Sequence, residues 1–458
     1  MNTRQILLLA GFLLGFMVTG RAQSLAPSPF LAGDRWCVLG DSITEGGGYH
    51  HYVELFFLTR YPNTPIHVIN SGIRGDTATG ANHRLGWDCL EHKPTVVSVM
   101  LGMNDVGRSY YKYKESADFF KNCLERAKAY EQEMRALTRS LVGSGARVIL
   151  IKPSIFDDTA DLPTPNLPGC GEALAGYSNI VDKIASDHNL ALVDFNAPMT
   201  AINSRQQKIE PHFTIVGPDR VHPTAPGHFV MAYEFLKTMG VQGVVSNIAI
   251  MVNDTASYKA DHCKVSDLKV ETEGLSFQCV EDSLPFPVES SARLSLNFVP
   301  FTRDYNQQIF QVEGLKPGAY ELLIDGKIIR KFTSAQLVIG VNLAEEQATP
   351  QHQQAMQVLA ALQLKWNAAA KLRSIAFIEH NVWPKVSRPL TPEKISAELE
   401  AGLTKLSTNV AWKGRLKANY LADKASEPAL LKVIEDTLAT ARRCSITTPH
   451  RYVLRLTK

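Results

Sequence analysis

The chain has 458 residues, which is enough for about three domains of ordinary size. Its composition, 45% hydrophobic and 20% charged, is typical of a folded globular protein and excludes an intrinsically disordered one. The formal net charge of +3 is too small to favour nucleic acid or an anionic membrane surface as a partner.

The amino-terminal segment has the pattern of an export signal. A short region with one arginine, Arg4, precedes an almost wholly apolar run at 6–18, and Gly20 and Ala22 supply the small residues that a signal peptidase reads. We therefore predict a cleaved signal peptide at 1–22, with a retained membrane anchor as the alternative. No later stretch of about 18 apolar residues follows, so we expect a soluble mature protein, periplasmic or secreted, with no integral membrane segment.

The seven cysteines are compatible with an exported protein that holds at most a few disulfides. They do not have the spacing of a zinc site, so no metal is predicted from them. Cys263 and Cys279 lie in a strand-rich segment and are the first pair to test for a disulfide. Cys37, inside a short apolar run, is a candidate free thiol.

The first domain alternates short apolar strands with helical stretches. Strands are predicted at 35–39, 66–70, 95–101, 147–152 and 190–195, and helices at 50–60, 115–141, 171–188 and 225–239. This alternation predicts a parallel sheet covered by crossover helices on both faces.

The pattern changes near residue 244. Short β-type runs separated by turn residues predict a small antiparallel β unit at 244–345, which is either a glycan-binding module or, as we favour, a scaffold. From 346 to 458 the chain is predicted to be helical and to pack against the other two units. Thr349 and Thr391 each precede a proline, as a helix cap and first helical residue do.

Ser42 lies just after the first predicted strand, where Gly40 allows the backbone to turn. In open α/β sheets, ligands bind at the carboxyl ends of the strands. A serine at that edge can act as a nucleophile if a base, an orienting acid and an oxyanion hole converge on it. The alternative is that Ser42 merely caps the following helix.

The second and third strands also end in candidate polar groups. Gly72 follows the second strand, where the lack of a side chain would let its N–H approach a substrate oxygen. Asn104 follows the third strand and would present its amide at the same edge. With the Ser42 N–H, these groups predict three donors for an oxyanion, although each residue alone is compatible with a turn or cap role.

His222 is the candidate general base among 13 histidines. Asp219 precedes it by three residues on a loop stiffened by two prolines, so one turn can place the carboxylate on the imidazole and leave the other nitrogen facing Ser42. His67, inside a strand, is interpreted as a packed or half-exposed histidine. The alternative is that Asp219, His222 and His228 bind a metal, although no third acid or cysteine joins them.

Four sequence blocks together resemble the SGNH (GDSL-like) hydrolase family of lipases and acylhydrolases. They are Gly-Asp-Ser-Ile-Thr at 40–44, the block at 70–77, Gly-Met-Asn-Asp at 102–105 and Asp-Arg-Val-His at 219–222. The resemblance covers about residues 30–240 and implies a three-layer α/β/α, flavodoxin-like fold for a hydrolase domain at 24–243. The segments after 244 lie outside the family's core pattern.

The resemblance also implies roles for individual residues. It makes Ser42 the nucleophile and His222 the base oriented by Asp219, with Ser42, Gly72 and Asn104 forming the oxyanion hole and with no cofactor. The predicted function is an exported serine esterase that hydrolyses carboxylic esters, acetyl or short acyl groups on carbohydrate. The alternatives are a lipase or lysophospholipase-type acylhydrolase, an acyltransferase to sugar and a non-catalytic glycan-binding surface protein; the oligomeric state is left open.

Overall fold

The computed structural model describes residues 30–252, 256–382, 392–406 and 409–457. The predicted signal peptide at 1–22 and the predicted cap at Thr391 lie outside these residues. Within them, no helix combines the length and the apolar character that crossing a membrane would need.

The first part of the chain forms one five-stranded sheet in which every neighbouring pair is parallel, in the order β2-β1-β3-β4-β5. Its strands are β1 Arg35–Gly40, β2 His67–Gly72, β3 Val96–Met100, β4 Arg147–Lys152 and β5 Ala191–Asp194. The five residues of β3 are all buried, as near-continuous apolar strands in a doubly covered sheet should be. The predicted α/β fold is confirmed.

Seven α-helices connect and cover these strands. They are α1 Ser42–Glu45, α2 Tyr49–Arg60, α3 Ala78–Asp88, α4 Phe119–Gly143, α5 Cys170–Asp187, α6 Asn196–Gln206 and α7 Ala225–Thr238. Because all strands run the same way, the loops that follow β1, β2 and β3 meet at one edge of the sheet.

The second part of the chain contains two further sheets, with the orders β13-β10-β6-β7 and β12-β11-β14-β9-β8. The strands are β6 Val244–Met251, β7 Ser257–Asp261, β8 Cys263–Glu271, β9 Gly274–Glu281, β10 Gln307–Glu313, β11 Ala319–Ile324, β12 Lys327–Thr333, β13 Val341–Asn342 and β14 His450–Leu456. Short helices α8 Phe301–Tyr305 and α9 Ser334–Ile339 lie between them. The pairs are antiparallel as predicted, with one exception: β6 and β10 pair in parallel.

The carboxyl-terminal segment is helical, as predicted, except for its last strand. The helices are α10 Pro350–Val382, α11 Pro392–Leu406, α12 Val410–Ala425 and α13 Glu427–Ser445. Strand β14 then inserts between β9 and β11, with Tyr452 and Leu454 fully buried. The last strand of the carboxyl-terminal segment therefore belongs to a sheet of the β unit and ties the two parts of the chain together.

Helix α10 lies against the parallel sheet as well as against α13. The side chain of Lys365 forms a buried ion pair with Glu54 on α2, with 2.5 Å between Nζ and Oε1. Trp366 Nε1 donates to the second oxygen of the same carboxylate at 2.8 Å. At the start of the helix, Thr349 Oγ1 accepts the His352 N–H, which confirms the predicted cap.

All seven cysteines are free thiols, so Cys263 and Cys279, the first pair to test for a disulfide, are not bonded. The two residues lie on the adjoining strands β8 and β9, but Cys263 faces Glu281 and Cys279 faces Val265. This diagonal offset separates Cα atoms by about 7–8 Å, beyond the usual span of a disulfide. The contact with the Cys263 thiol, together with burial, raises the pKa of Cys279 far above its ordinary value.

Candidate active site

Ser42, His222 and Asp219 form a continuous hydrogen-bonded chain at the carboxyl edge of the parallel sheet. Ser42 Oγ lies 2.8 Å from His222 Nε2, and His222 Nδ1 lies 2.5 Å from Asp219 Oδ2. The imidazole and the carboxylate are each about half exposed, so the site is open to solvent. This is the arrangement that lets an imidazole remove a proton from a serine hydroxyl.

The turn after β1 fixes the position of Ser42. Asp41 caps helix α1, because its Oδ1 accepts the N–H of Ile43 at 3.0 Å. Burial raises the pKa of Asp41 to about 6, and the hydrogen bond from Ile43 opposes that rise. The capping role considered for Ser42 is thus filled by its neighbour, and the Ser42 hydroxyl points to His222.

Asp219 holds His222 through the backbone as well as through the ring. Its Oδ1 accepts the N–H groups of Val221 and His222, both at 3.0 Å, while Oδ2 binds the imidazole. Burial alone would raise the pKa of Asp219, but the hydrogen bonds from the ring and from the two N–H groups lower it. The carboxylate therefore stays ionised and can stabilise an imidazolium.

Arg220 anchors this loop, a role that the sequence analysis missed. Its side chain is 2% exposed, and its backbone has a left-handed φ of +67°. The guanidinium donates to four backbone carbonyls on a neighbouring loop, those of Asp157, Ala160, Leu162 and Thr164. No sequence pattern distinguishes this arginine from an ordinary exposed loop residue.

Asn104 lies beside Ser42 in the cleft, as expected, and its Nδ2 donates to the Asp76 carbonyl at 2.8 Å. Gly72 does not reach the cleft. Its N–H is already donated to Asn70 Oδ1 at 2.9 Å. A Cβ at Gly72 would come within 2.1 Å of the Glu45 nitrogen, so glycine is required there for packing against α1. The expectation that Gly72 supplies an oxyanion donor is therefore wrong.

Gly75, three residues further along the same loop, faces the cleft instead. Its φ of +77° is left-handed, and a Cβ there would meet no atom within 4 Å. Its N–H has no hydrogen-bond partner among the described residues. The block at 70–77 thus does supply a glycine to the site, but that glycine is Gly75 and not Gly72.

The cleft has a volume of about 400 Å³, and, apart from glycine, none of its lining residues is an aliphatic residue, Phe, Tyr or Trp. These residues are Ser42, Glu45, Gly46, Arg74, Gly75, Asn104, Arg108 and His222. Arg74 Nε donates to Glu45 Oε1 at 2.8 Å, and Arg108 Nη1 donates to the Met103 carbonyl at 2.7 Å. The cleft therefore has no large hydrocarbon side chain against which a long acyl chain could pack.

His228 does not join Asp219 and His222 to form a metal site. Its ring is buried, and its Nδ1 accepts the Tyr49 N–H at 3.3 Å. Burial lowers the pKa of His228 to about 3, with smaller contributions from His50 and His222. In the described ranges, no group of three His, Cys, Asp or Glu side chains could hold a metal ion.

The parallel sheet and the Ser-His-Asp geometry at its edge are those of an ester-bond hydrolase. Residues 38–229 match the model of the GDSL-like lipase/acylhydrolase family, and the chain belongs to that family. The family prediction is thereby confirmed, as is the prediction that the protein is an ester-bond hydrolase.

Two other proteins are similar to this chain. An acetylxylan esterase of Geobacillus stearothermophilus is 29% identical over 230 residues, which are 47% of this chain and 98% of the esterase. The structure of a gut microbial diltiazem-metabolizing enzyme is 30% identical, with a TM-score of 0.86, and the match covers 95% of this chain and all of that one. A structure of the acetylxylan esterase matches 46% of this chain at 28% identity, with a TM-score of 0.38.

Proposed function

We propose that this protein is an exported serine esterase that removes acetyl or other short acyl groups from carbohydrates. The observation that carries the proposal is the chain of contacts from Ser42 Oγ through His222 to Asp219, at 2.8 and 2.5 Å. We assign this chemistry to a catalytic domain at 24–243. The β unit at 244–345 and the segment at 346–458 would support that domain.

In the acylation step, His222 Nε2 takes the Ser42 proton as Oγ attacks the ester carbonyl carbon. The C–O bond to the alcohol then breaks, and the alcohol leaves with the proton from His222. Water repeats the sequence on the acyl-enzyme, so that the acid is released and the serine hydroxyl is restored. Asp219 stays ionised throughout and stabilises the imidazolium.

We assign the oxyanion hole to the N–H groups of Ser42 and Gly75 and to the side-chain amide of Asn104. We assign Gly75 in place of Gly72, because Gly75 borders the cleft and its N–H has no partner in the part of the chain that the structure describes, whereas the Gly72 N–H is donated to Asn70. Removing one oxyanion donor typically raises the barrier by about 3 kcal/mol.

None of the residues that line the cleft has a large hydrocarbon side chain, which supports a short acyl group. A hydrocarbon chain gains about 0.8 kcal/mol for each buried CH₂, but here no apolar side chain lines the cleft to bury it. The name of one relative, acetylxylan esterase, points to acetylated glycans as the first substrates to test. Export rests on the pattern at 1–22, and amino-terminal sequencing of the protein from its native host should find a start near residue 23.

The test is a substrate panel with the wild type, Ser42→Ala and a matched control, Ser116→Ala, on an exposed loop. The panel holds p-nitrophenyl acetate, p-nitrophenyl palmitate, a lysophospholipid and acetylated xylooligosaccharides. We expect the wild type and the control to hydrolyse the acetates, and Ser42→Ala to lose about 10³-fold or more in kcat. Preference for palmitate or the lysophospholipid would support a lipase instead, and full activity of Ser42→Ala would overturn the mechanism.

A further inference from the structure

We propose that helix α10 positions the oxyanion hole. Its residues Arg373, Phe377 and His380 hold the loop at 72–77 so that the Gly75 N–H faces Ser42. These three are positioning residues, since none of them touches the cleft. The inference deepens the proposed function and rests on it, because it presumes an oxyanion hole that includes Gly75.

The edge of the parallel sheet shows how the carboxyl-terminal helices reach the site. Strand β2 is outermost, and its backbone groups point alternately inwards to β1 and outwards. Two outward carbonyls of β2, and the carbonyl of the residue just before it, accept hydrogen bonds from side chains of the helical segment. Ile66 accepts from Arg442 at 3.1 Å, Val68 from Lys365 at 3.2 Å and Gly72 from Arg373 at 3.0 Å. Of these, the bond to Gly72 is at the end of the strand where the candidate active-site loop begins.

Arg373 is locked in place by a buried, two-pronged ion pair. Its Nη1 and Nη2 donate to the two oxygens of Asp88 at 2.7 and 2.8 Å, and Nε donates to the Gly72 carbonyl. The Arg373 side chain is 7% exposed and that of Asp88 is 4% exposed. Such planar bidentate pairs fix direction as well as distance. The carbonyl before Ile73 is therefore held by a rigid group.

The charge network around Asp88 extends to the other side of the loop and to the nucleophile strand. Arg84 pairs with Asp88, donates from Nε to Asp76 at 2.7 Å and donates from Nη2 to the Gly40 carbonyl at 3.0 Å. The Asp76 carbonyl in turn accepts from Asn104. Arg373 thus belongs to one buried assembly with the loops that present all three assigned oxyanion donors.

Two further contacts hold the loop on either side of Gly75. The guanidinium of Arg74 lies 4.7 Å above the Phe377 ring, a cation–π contact, and also pairs with Glu45 on α1. His380 Nε2 lies 3.7 Å from Asp76 Oδ1. The positions 373, 377 and 380 share one face of a helix. A single helix therefore contacts Arg74 and Asp76, the residues on both sides of Gly75.

The Ile73 side chain adds an apolar anchor to the same loop. It is fully buried in a cluster formed by the helical segment, which includes Ile375, Ile378, Leu399 and Tyr420. Gly75 itself has no side chain and an unhindered backbone, so its orientation depends on these neighbours. A displacement of about 1 Å at a catalytic group can lower the rate by about 100-fold.

The test compares Arg373→Lys and Phe377→Leu with Arg442→Lys. Lysine keeps a cation for Asp88 but cannot also bond the Gly72 carbonyl, and leucine keeps an apolar contact without the aromatic face. Arg442→Lys is the matched control, since it alters a similar bond at the far end of β2. For each variant, the maximal rate on p-nitrophenyl acetate is divided by the number of serines that a fluorophosphonate labels at completion, which gives kcat per labelled serine. KM is measured in the same assay, and the labelling rate is recorded.

We expect Arg373→Lys and Phe377→Leu to lose about 10- to 100-fold in kcat per labelled serine, with KM changed less than about threefold. Labelling should slow in parallel, because phosphylation uses the same donors. The pH profile should stay that of the wild type, because the loop carrying His222 is untouched. The control should stay within twofold of the wild type.

Wild-type kcat per labelled serine in both variants would overturn the proposal. A loss explained wholly by fewer labelled serines would also overturn it, because it would show a purely structural role. A wild-type protein that neither hydrolyses the ester nor reacts with the probe would overturn the proposed function as well, so the two failures are distinguishable.

Discussion

Asp219 binds His222 twice, through the ring Nδ1 at 2.5 Å and through the backbone N–H at 3.0 Å. One carboxylate therefore fixes both the path of the chain and the tilt of the imidazole. In a triad whose acid and base lie far apart in sequence, these two tasks fall to different elements.

We expect Asp219→Asn to lower kcat by about 10³- to 10⁴-fold, with KM nearly unchanged. The amide can still accept the backbone N–H groups, but it favours the wrong tautomer of the imidazole and cannot stabilise an imidazolium. Steady-state kinetics on p-nitrophenyl acetate measure the effect. Asp161→Asn, on an exposed acid of the neighbouring loop, is the control. A loss below tenfold for Asp219→Asn would exclude the carboxylate from the mechanism.

Arg220→Lys should destabilise the protein by about 2–4 kcal/mol and lower kcat in the remaining folded fraction. One ammonium cannot replace a guanidinium that donates to four carbonyls, so several buried acceptors lose their partners. Urea unfolding gives the stability change. Arg205→Lys, on the exposed side of α6, should change it by less than about 0.5 kcal/mol. Equal stability of the two variants would contradict the anchoring role.

The raised pKa of Asp105 should make the stability of the protein depend on pH. Burial raises the pKa of Asp105 to about 7, although the Ala78 N–H donates to its Oδ1. Between its ordinary value of 3.8 and about 7, the native state holds a proton that the unfolded state has released. The contribution of this group to stability is therefore present in acid and lost as the pH rises through 7.

The variant Asp105→Asn keeps the Oδ1 acceptor and cannot ionise. Relative to the wild type, its free energy of unfolding should improve between pH 5 and pH 8 by on the order of a few kcal/mol. Urea unfolding at both values measures the change, with the exposed Asp118→Asn as the control. A difference from the wild type that does not change with pH would contradict the raised pKa.

The ion pair between Lys365 and Glu54 should contribute to the stability with which α10 packs on α2. Lys365→Ala should cost about 3–5 kcal/mol, because it leaves a buried carboxylate without its cation. The double variant Glu54→Gln with Lys365→Met should recover most of that loss, since glutamine still accepts from Trp366. Urea unfolding of both variants tests this coupling, and a double variant no more stable than Lys365→Ala would contradict it.

Several features could be predicted from sequence because each depends on local pattern. The apolar strands, Ser42 after β1, Asn104 after β3 and the Asp219–His222 spacing lie in short segments whose chain direction fixes their place at the sheet edge. The block at 70–77 has two glycines, at 72 and 75, and sequence alone does not tell which N–H faces the cleft. That depends on the turn after β2, which Asn70 and α10 shape.

Other features were missed because their cause is distant in the chain or lacks a clear pattern. Helices α3 and α6 have no clear apolar stripe, and α3 begins where the Thr77 hydroxyl accepts the Gly80 N–H. Strand β14 is a strand because it fills a gap between β9 and β11. The contact of Arg373 with Gly72 joins residues 301 positions apart, and no local sequence pattern predicts it.

The most direct test of the central claim is the site at which a fluorophosphonate reacts, found by peptide mass spectrometry of the labelled protein. We expect one adduct per chain, on Ser42, with reaction strongly slowed in His222→Ala and no adduct at that position in Ser42→Ala. An adduct on another residue, or a wild-type protein that does not react while it hydrolyses acetyl esters, would contradict the account.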